Sequence, residues 1–290
     1  MSEQELNPKA LYCQDNEKTR RFLQGQIMAN VERITTMKLQ YTAFCNPKGR
    51  VVTSLWIYKD HEHWWLIFAN ERSRKLCLET WENFAKVSRI ELLSSQYNFI
   101  PLINSQNSEH SKLTDLAANH ASPHLFITRP SAHNDMGYLI LPPETPLPQD
   151  LTTYHQPQSW IRSSLLDGRV ELSITESLLF TPHMLQLDQI PNALCLQKGC
   201  FVGQEIIART HHLGKTKRKL FCYQLQSSPK APEQQSIADQ EGQVAGKIIR
   251  SIYSQSHLDA CFWILATNPP PALFYQGKAL SLIRSCQEVL

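Results

Sequence analysis

The chain has 290 residues, 42% of them hydrophobic and 19% charged, with 29 Lys plus Arg against 26 Asp plus Glu and a formal net charge of +3. That length leaves room for two or three domains with a real core, which excludes disorder along the whole chain, and the charge balance is too even to argue for nucleic-acid binding. Gly at 10 and Pro at 17 exclude collagen-like and low-complexity classes.

In chain order, Asp15 or Asn16 can cap a helix through Arg20, Phe22, Leu23 and Ile27. A strand at Leu39–Cys45, a turn at Asn46-Pro47-Lys48-Gly49 and a strand at Arg50–Lys59 read as a hairpin. Asp60-His61-Glu62 turns the chain into a strand at His63–Ala69. Asn70 then caps a helix whose stripe is Leu76, Cys77, Thr80, Trp81 and Phe84, and Val87–Leu93 reads as a closing strand. Signals over 97–145 are weaker: short strands at Leu125–Thr128 and Tyr138–Leu141 around a helix near Ser111–His120. Pro142 to Pro148 reads as a hinge, and a helix near Ser159–Leu166 ends at Asp167-Gly168. From Lys217 the pattern turns to β: Lys219–Gln226, Val244–Ser254, Leu258–Leu265 and Ala279–Ile283, with Ser227–Gln243 a long polar loop. Helices mixed with hairpins indicate an α+β body followed by a small β-barrel or sandwich.

Apolar runs such as Trp64 to Ala69 fall far short of the ~20 residues that span a bilayer. Met1–Lys9 is polar and has no secretory signal, so a cytoplasmic location with no membrane contact is expected. The eight cysteines form no CxxC pair, and the 11 His include His61/His63 and the surface pair His211-His212 but no HExxH, so no metal site is expected.

Chemistry concentrates in residues 197–219. Gly199 and Gly203 bracket Cys200, and Gln204 to Arg209 are good helix material, with Glu205 and Arg209 at i, i+4. A cysteine near a helix N-terminus and beside Lys198 has the setting of a reactive thiol, although an inert buried thiol in a Gly turn fits the same residues. Gly214-Lys215-Thr216 is not a phosphate loop, because Arg209 occupies the required Gly position. Lys215, Lys217, Arg218 and Lys219 suit either an anion contact or a guarded strand edge.

Lys198-Gly199-Cys200-Phe201-Val202-Gly203-Gln204-Glu205 resembles the KGC[YF]xGQE signature of the YgfZ family, folate-binding proteins related in fold to the glycine-cleavage aminomethyltransferase (T-protein). Phe22-Leu23-Gln24-Gly25-Gln26, Asn46-Pro47-Lys48-Gly49-Arg50, and Thr181-Pro182 through Leu187-Asp188 are similar to further blocks of that family, in family order. The resemblance implies intertwined ferredoxin-like domains over 1–216, with a hinge near 142–148, and a C-terminal β-barrel over 217–290. It implies tetrahydrofolate (or another reduced folate) as ligand and Cys200 as the functional thiol, with Lys198 biasing it toward thiolate and Glu205–Arg209 bracing the loop. Trp160 falls where the family places a folate-stacking Trp, though by position alone it reads as a core residue of its helix. Gln26, Asn46, Lys48, Arg50, Phe201, Gln204 and Glu205 are the other candidate folate contacts. Residues 1–21 lack the family's early Trp, and Phe201 replaces the commoner Tyr.

The implied role is support of iron–sulfur cluster assembly or repair, and through it tRNA modification, with iron–sulfur or tRNA-modifying enzymes as partners. A folate-dependent C1 transferase is the first alternative. It is disfavoured because Thr53 and Ser54 stand where the aminomethyltransferase carries its catalytic Asp, and a hydroxyl does not do a carboxylate's acid–base work. A non-catalytic adaptor docking through 209–219 is the second.

Overall fold

A computed structural model describes residues 6–104, 113, 125–129, 135–214, 216–226, 236–254, 259–267 and 271–284. The first sheet comprises β1 (Lys9–Gln14), β2 (Gln40–Cys45), β3 (Val51–Lys59), β4 (His63–Phe68) and β5 (Leu93–Ser94), in the order β2-β3-β4-β1-β5 and antiparallel throughout. The helices α1 (Glu17–Gln26) and α2 (Glu71–Ser88) begin at asparagine caps: Asn16 accepts from Thr19 N and Asn70 from Ser73 N, at 3.0 Å each.

Strand alternation sorts the first sheet's side chains into two cores. Leu55 and Ile57 of β3 join Phe22, Leu23, Cys77 and Trp81 of the helices, while Trp56 and Tyr58 enter a second core on the opposite face. Burial on both faces is why β3 reads as a nearly continuous apolar run.

The second sheet, β6 (Asn98–Asn104), β7 (Leu125–Arg129) and β8 (Asp135–Leu141), has the order β6-β8-β7. Its Phe99, Ile103, Met136 and Tyr138 face the second core, together with Trp160 of α3 (Pro157–Leu166). A fourth helix, α4 (Gln204–Leu213), precedes the third sheet. That sheet is seven-stranded and barrel-like: β9 (Arg218–Gln226), β10 (Ser236–Ala238), β11 (Val244–Ser254), β12 (Asp259–Thr267), β13 (Phe274–Tyr275), β14 (Lys278–Ala279) and β15 (Ser281–Arg284), in the order β14-β13-β10-β11-β12-β9-β15. Phe221, Tyr223, Phe262 and Ile264 build its own core, whereas Leu220, Cys222, Ile252 and Trp263 join the second core. The tail is therefore welded to the body through one face of its sheet.

The expected α+β body and β tail are both present. Three local expectations need correction. Val87–Leu93 is not a strand: α2 runs on to Ser88, Val87 is on its solvent side at 86% exposure, and the chain turns at Arg89 with φ 55° before the short β5. β1 was not expected; it follows the polar Met1–Lys9 stretch and pairs along its length with β4, from Lys9 opposite Phe68 to Gln14 opposite His63. Ser227–Gln243 contains β10. The helix expected near Ser111–His120 lies outside the described residues except for Leu113, which is buried. No described helix is long and apolar enough to cross a membrane.

Candidate functional site

The segment 195–203 is strapped across the end of α1. Cys195 N donates to Met28 O and Val202 N to Gly25 O, each at 3.0 Å. Between them the buried Lys198 drives its ammonium into the backbone, donating to the carbonyls of Gln24, Ile27 and Ala29 at 2.6, 2.6 and 2.8 Å. The last carbonyls of a helix lack intrahelical donors and carry the negative end of its dipole, so a cation belongs there. Lys198 Nζ also sits 4.9 Å from the centre of the buried Phe201 ring. Burial pushes this ammonium down to about 7.

Gln204 closes the loop: its Oε1 accepts from Phe201 N at 3.2 Å and its Nε2 donates to Leu196 O at 3.1 Å. Gly203 caps α4 with φ 82° and meets the hairpin turn, where Asn46 Oδ1 accepts from Lys48 N and Arg50 N at 3.0 Å each. Six motif residues are thus divided between anchoring and display. Lys198, Phe201, Gly203 and Gln204 hold the loop, and Cys200 and Glu205 face outward. Of the described cysteines, Cys200 alone is exposed.

Several expectations change. All three N–H groups of Lys198 are committed to carbonyls, so it anchors the loop and does not turn toward the Cys200 sulfur. Glu205 and Arg209, both exposed, form no ion pair among the described residues, and an exposed pair of this kind contributes little to stability. Trp160 is fully buried, its ring 4.8 Å from that of Tyr138, so in this structure it serves the core and offers no open face for a pterin. Asn46, Phe201 and Gln204 spend their polar groups or their rings on local structure. Arg50 Nη1 donates to Leu179 O at 3.0 Å, Lys48 is exposed, and Gln26 is buried at the end of α1. Gln26 lines a groove of about 650 Å³ between α1 and α2, with Phe22, Phe84 and Val87. Thr53 and Ser54 are buried; the Ser54 hydroxyl donates to Val170 O at 2.6 Å and accepts from Leu172 N at 3.1 Å, which makes it a structural tie.

The spacing of residues gave no sign of one further cluster. His183, Asp188 and His211 each bring a ligand atom within 4.8 Å of the other two.

No family model matches the chain. It is 29% identical over 234 residues to the tRNA-modifying protein YgfZ of Colwellia psychrerythraea, covering 75% of this chain and 70% of that protein. It is 25% identical over 244 residues to an uncharacterized protein of Haemophilus influenzae, covering 84% and 80%. Among solved structures, the glycine cleavage system aminomethyltransferase T of Bartonella henselae matches with a TM-score of 0.69 at 15% identity, over 96% of this chain and 83% of that one. With the signature loop built as described and these relatives beside it, the chain is similar to the YgfZ tRNA-modifying proteins and has the fold of aminomethyltransferase T.

Proposed function

We propose that this chain binds a reduced folate and supports tRNA modification, with Cys200 as its working thiol. Its main support is the exposure of Cys200 on a loop held rigid by Lys198, Val202 and Gln204, while the other described cysteines are buried. Burial pushes the thiols of Cys13 and Cys45 up to about 12, which keeps them inert. A protein that only needed small apolar residues would have no reason to display one cysteine at the centre of its most recognisable loop.

The named relative is a tRNA-modifying protein, and the fold relative is a glycine cleavage aminomethyltransferase. Folate as ligand and iron–sulfur enzymes as the route to tRNA extend that likeness to this chain, as do the intertwined ferredoxin-like arrangement over 1–216 and a separate barrel unit over 217–290. Lys48 and Arg50, exposed on the turn that abuts the Cys200 loop, are suited to the carboxylates of a folate's glutamate tail.

Anaerobic calorimetry with tetrahydrofolate, and complementation of a bacterial strain lacking its YgfZ, test the two halves. The wild-type chain binds tetrahydrofolate and restores modified nucleosides in tRNA. Cys200→Ser binds the folate and fails to restore them. Absence of folate binding overturns the ligand, and full restoration by Cys200→Ser overturns the thiol.

A further inference from the structure

The end of α4 remote from Cys200 meets the chain that leads out of Thr181-Pro182. There His211, in the last turn of α4, faces His183 and Asp188. His183 Nε2 stands 3.3 Å from His211 Nδ1. His183 is only 5% exposed, and its Nδ1, cut off from solvent, has no hydrogen-bond partner among the described residues. Asp188 Oδ2 accepts from Gln189 Nε2 at 3.0 Å, but its Oδ1 is buried and equally unmatched.

We propose that His183, Asp188 and His211 bind one divalent transition-metal ion of the zinc class. Two imidazoles and a carboxylate are borderline donors, which select Zn²⁺ or Co²⁺ over Mg²⁺ or Ca²⁺. Bonds of about 2.0–2.1 Å in a tetrahedron set ligand atoms roughly 3.3–3.4 Å apart, so the two imidazole nitrogens already stand at the separation a shared ion requires. A plain His–His hydrogen bond accounts for that distance, but it leaves the Asp188 oxygen stranded, and an unmatched buried acceptor is costly. Three protein ligands leave a fourth position to water.

The ion would fasten the helix that follows the Cys200 loop to the barrel-like sheet. The bridge runs through residues 183–188, because Leu220 N of β9 donates to Met184 O at 2.8 Å and Gln186 Nε2 donates to Leu220 O at 2.5 Å.

Titration of the metal-free full chain with cobalt chloride, followed by zinc chloride, tests the site. One equivalent of Co²⁺ gives visible d–d absorption without a thiolate charge-transfer band, zinc displaces it, and zinc raises the melting temperature. His211→Ala and Asp188→Asn, both outside the deep core, each weaken binding by at least about 100-fold, with circular dichroism reporting the fold of each. His212→Ala and Cys200→Ser bind as the wild type does. Absence of binding, binding that survives both His211→Ala and Asp188→Asn, or binding lost in Cys200→Ser overturns the site.

Discussion

Gly203 lies directly on Asn46: a Cβ on the glycine would stand 2.6 Å from the Asn46 carbonyl oxygen and 3.3 Å from the Cys45 Cβ. Across the same contact Gly49, at φ 68°, faces Ile206. Two turns more than 150 residues apart therefore meet backbone to backbone, and this contact fixes where the Cys200 loop stands on the hairpin. Gly203→Ala both strains a left-handed residue and forces the two turns apart. We expect a loss of about 2–4 kcal/mol in urea denaturation. An unchanged midpoint would show that the turns do not touch in solution.

Lys198 makes a different kind of anchor. Lys198→Met keeps much of the stem but strands the carbonyls of Gln24, Ile27 and Ala29, so stability at neutral pH falls by about 2–4 kcal/mol. The folded pKa lies near 7, lowered from 10.5 by burial, so between about pH 7 and 10.5 the unfolded chain holds the proton more tightly. Stability from this group accordingly rises with pH across that window, and Lys198→Met removes the rise. Denaturation midpoints at pH 7, 8.5 and 10 for both proteins check this; parallel curves would mean that Lys198 stays fully charged when folded.

The helix caps and the hairpin were legible because their signals are local: Asn16, Asn70 and the Asn46 turn act within four residues. β1 was illegible because its strand character comes from pairing with β4, some fifty residues on. In the loop, Cys200 and the flanking glycines were visible, whereas the partners of Lys198 lie about 170 residues away and are backbone atoms, which carry no residue-type signature. The same distance hid His183, Asp188 and His211, since no regular spacing links them. For Trp160, the resemblance implied a folate-stacking role and its position alone suggested the core of its helix; the indole lies in the core.

Native-state thiol chemistry separates Cys200 from the buried cysteines. In a Cys286→Ser background, one equivalent of Ellman's reagent should react within minutes, and Cys200→Ser should abolish that phase. Cys13, Cys45, Cys77, Cys195, Cys222 and Cys261 are all buried and should wait for denaturant. Two fast equivalents, or one that persists in Cys200→Ser, would contradict the exposure on which the functional reading rests.

Arg250 of β11 and Glu176 form a buried pair, with side chains 7% and 9% exposed, that locks the barrel-like sheet to the body. Arg250 Nη2 donates to Glu176 Oε2 and its Nη1 to Glu171 O at 3.0 Å, while the same Oε2 accepts from Ser173 N at 2.7 Å and Ser173 Oγ at 2.8 Å. Removing the carboxylate alone leaves a guanidinium in the interior without its counter-charge, so Glu176→Leu should cost about 3–5 kcal/mol. Replacing both, as Glu176→Leu with Arg250→Met, removes the stranded charge and should return most of that loss, because an apolar pair avoids the desolvation that the ions suffer. Chemical denaturation of the two single variants and the double variant forms a closed cycle. Additive losses would mean that the two charges do not meet, and the link between the sheet and the body would then rest on the shared apolar face of Leu220, Cys222 and Trp263 and on the hydrogen bonds of Leu220 to Met184 and Gln186.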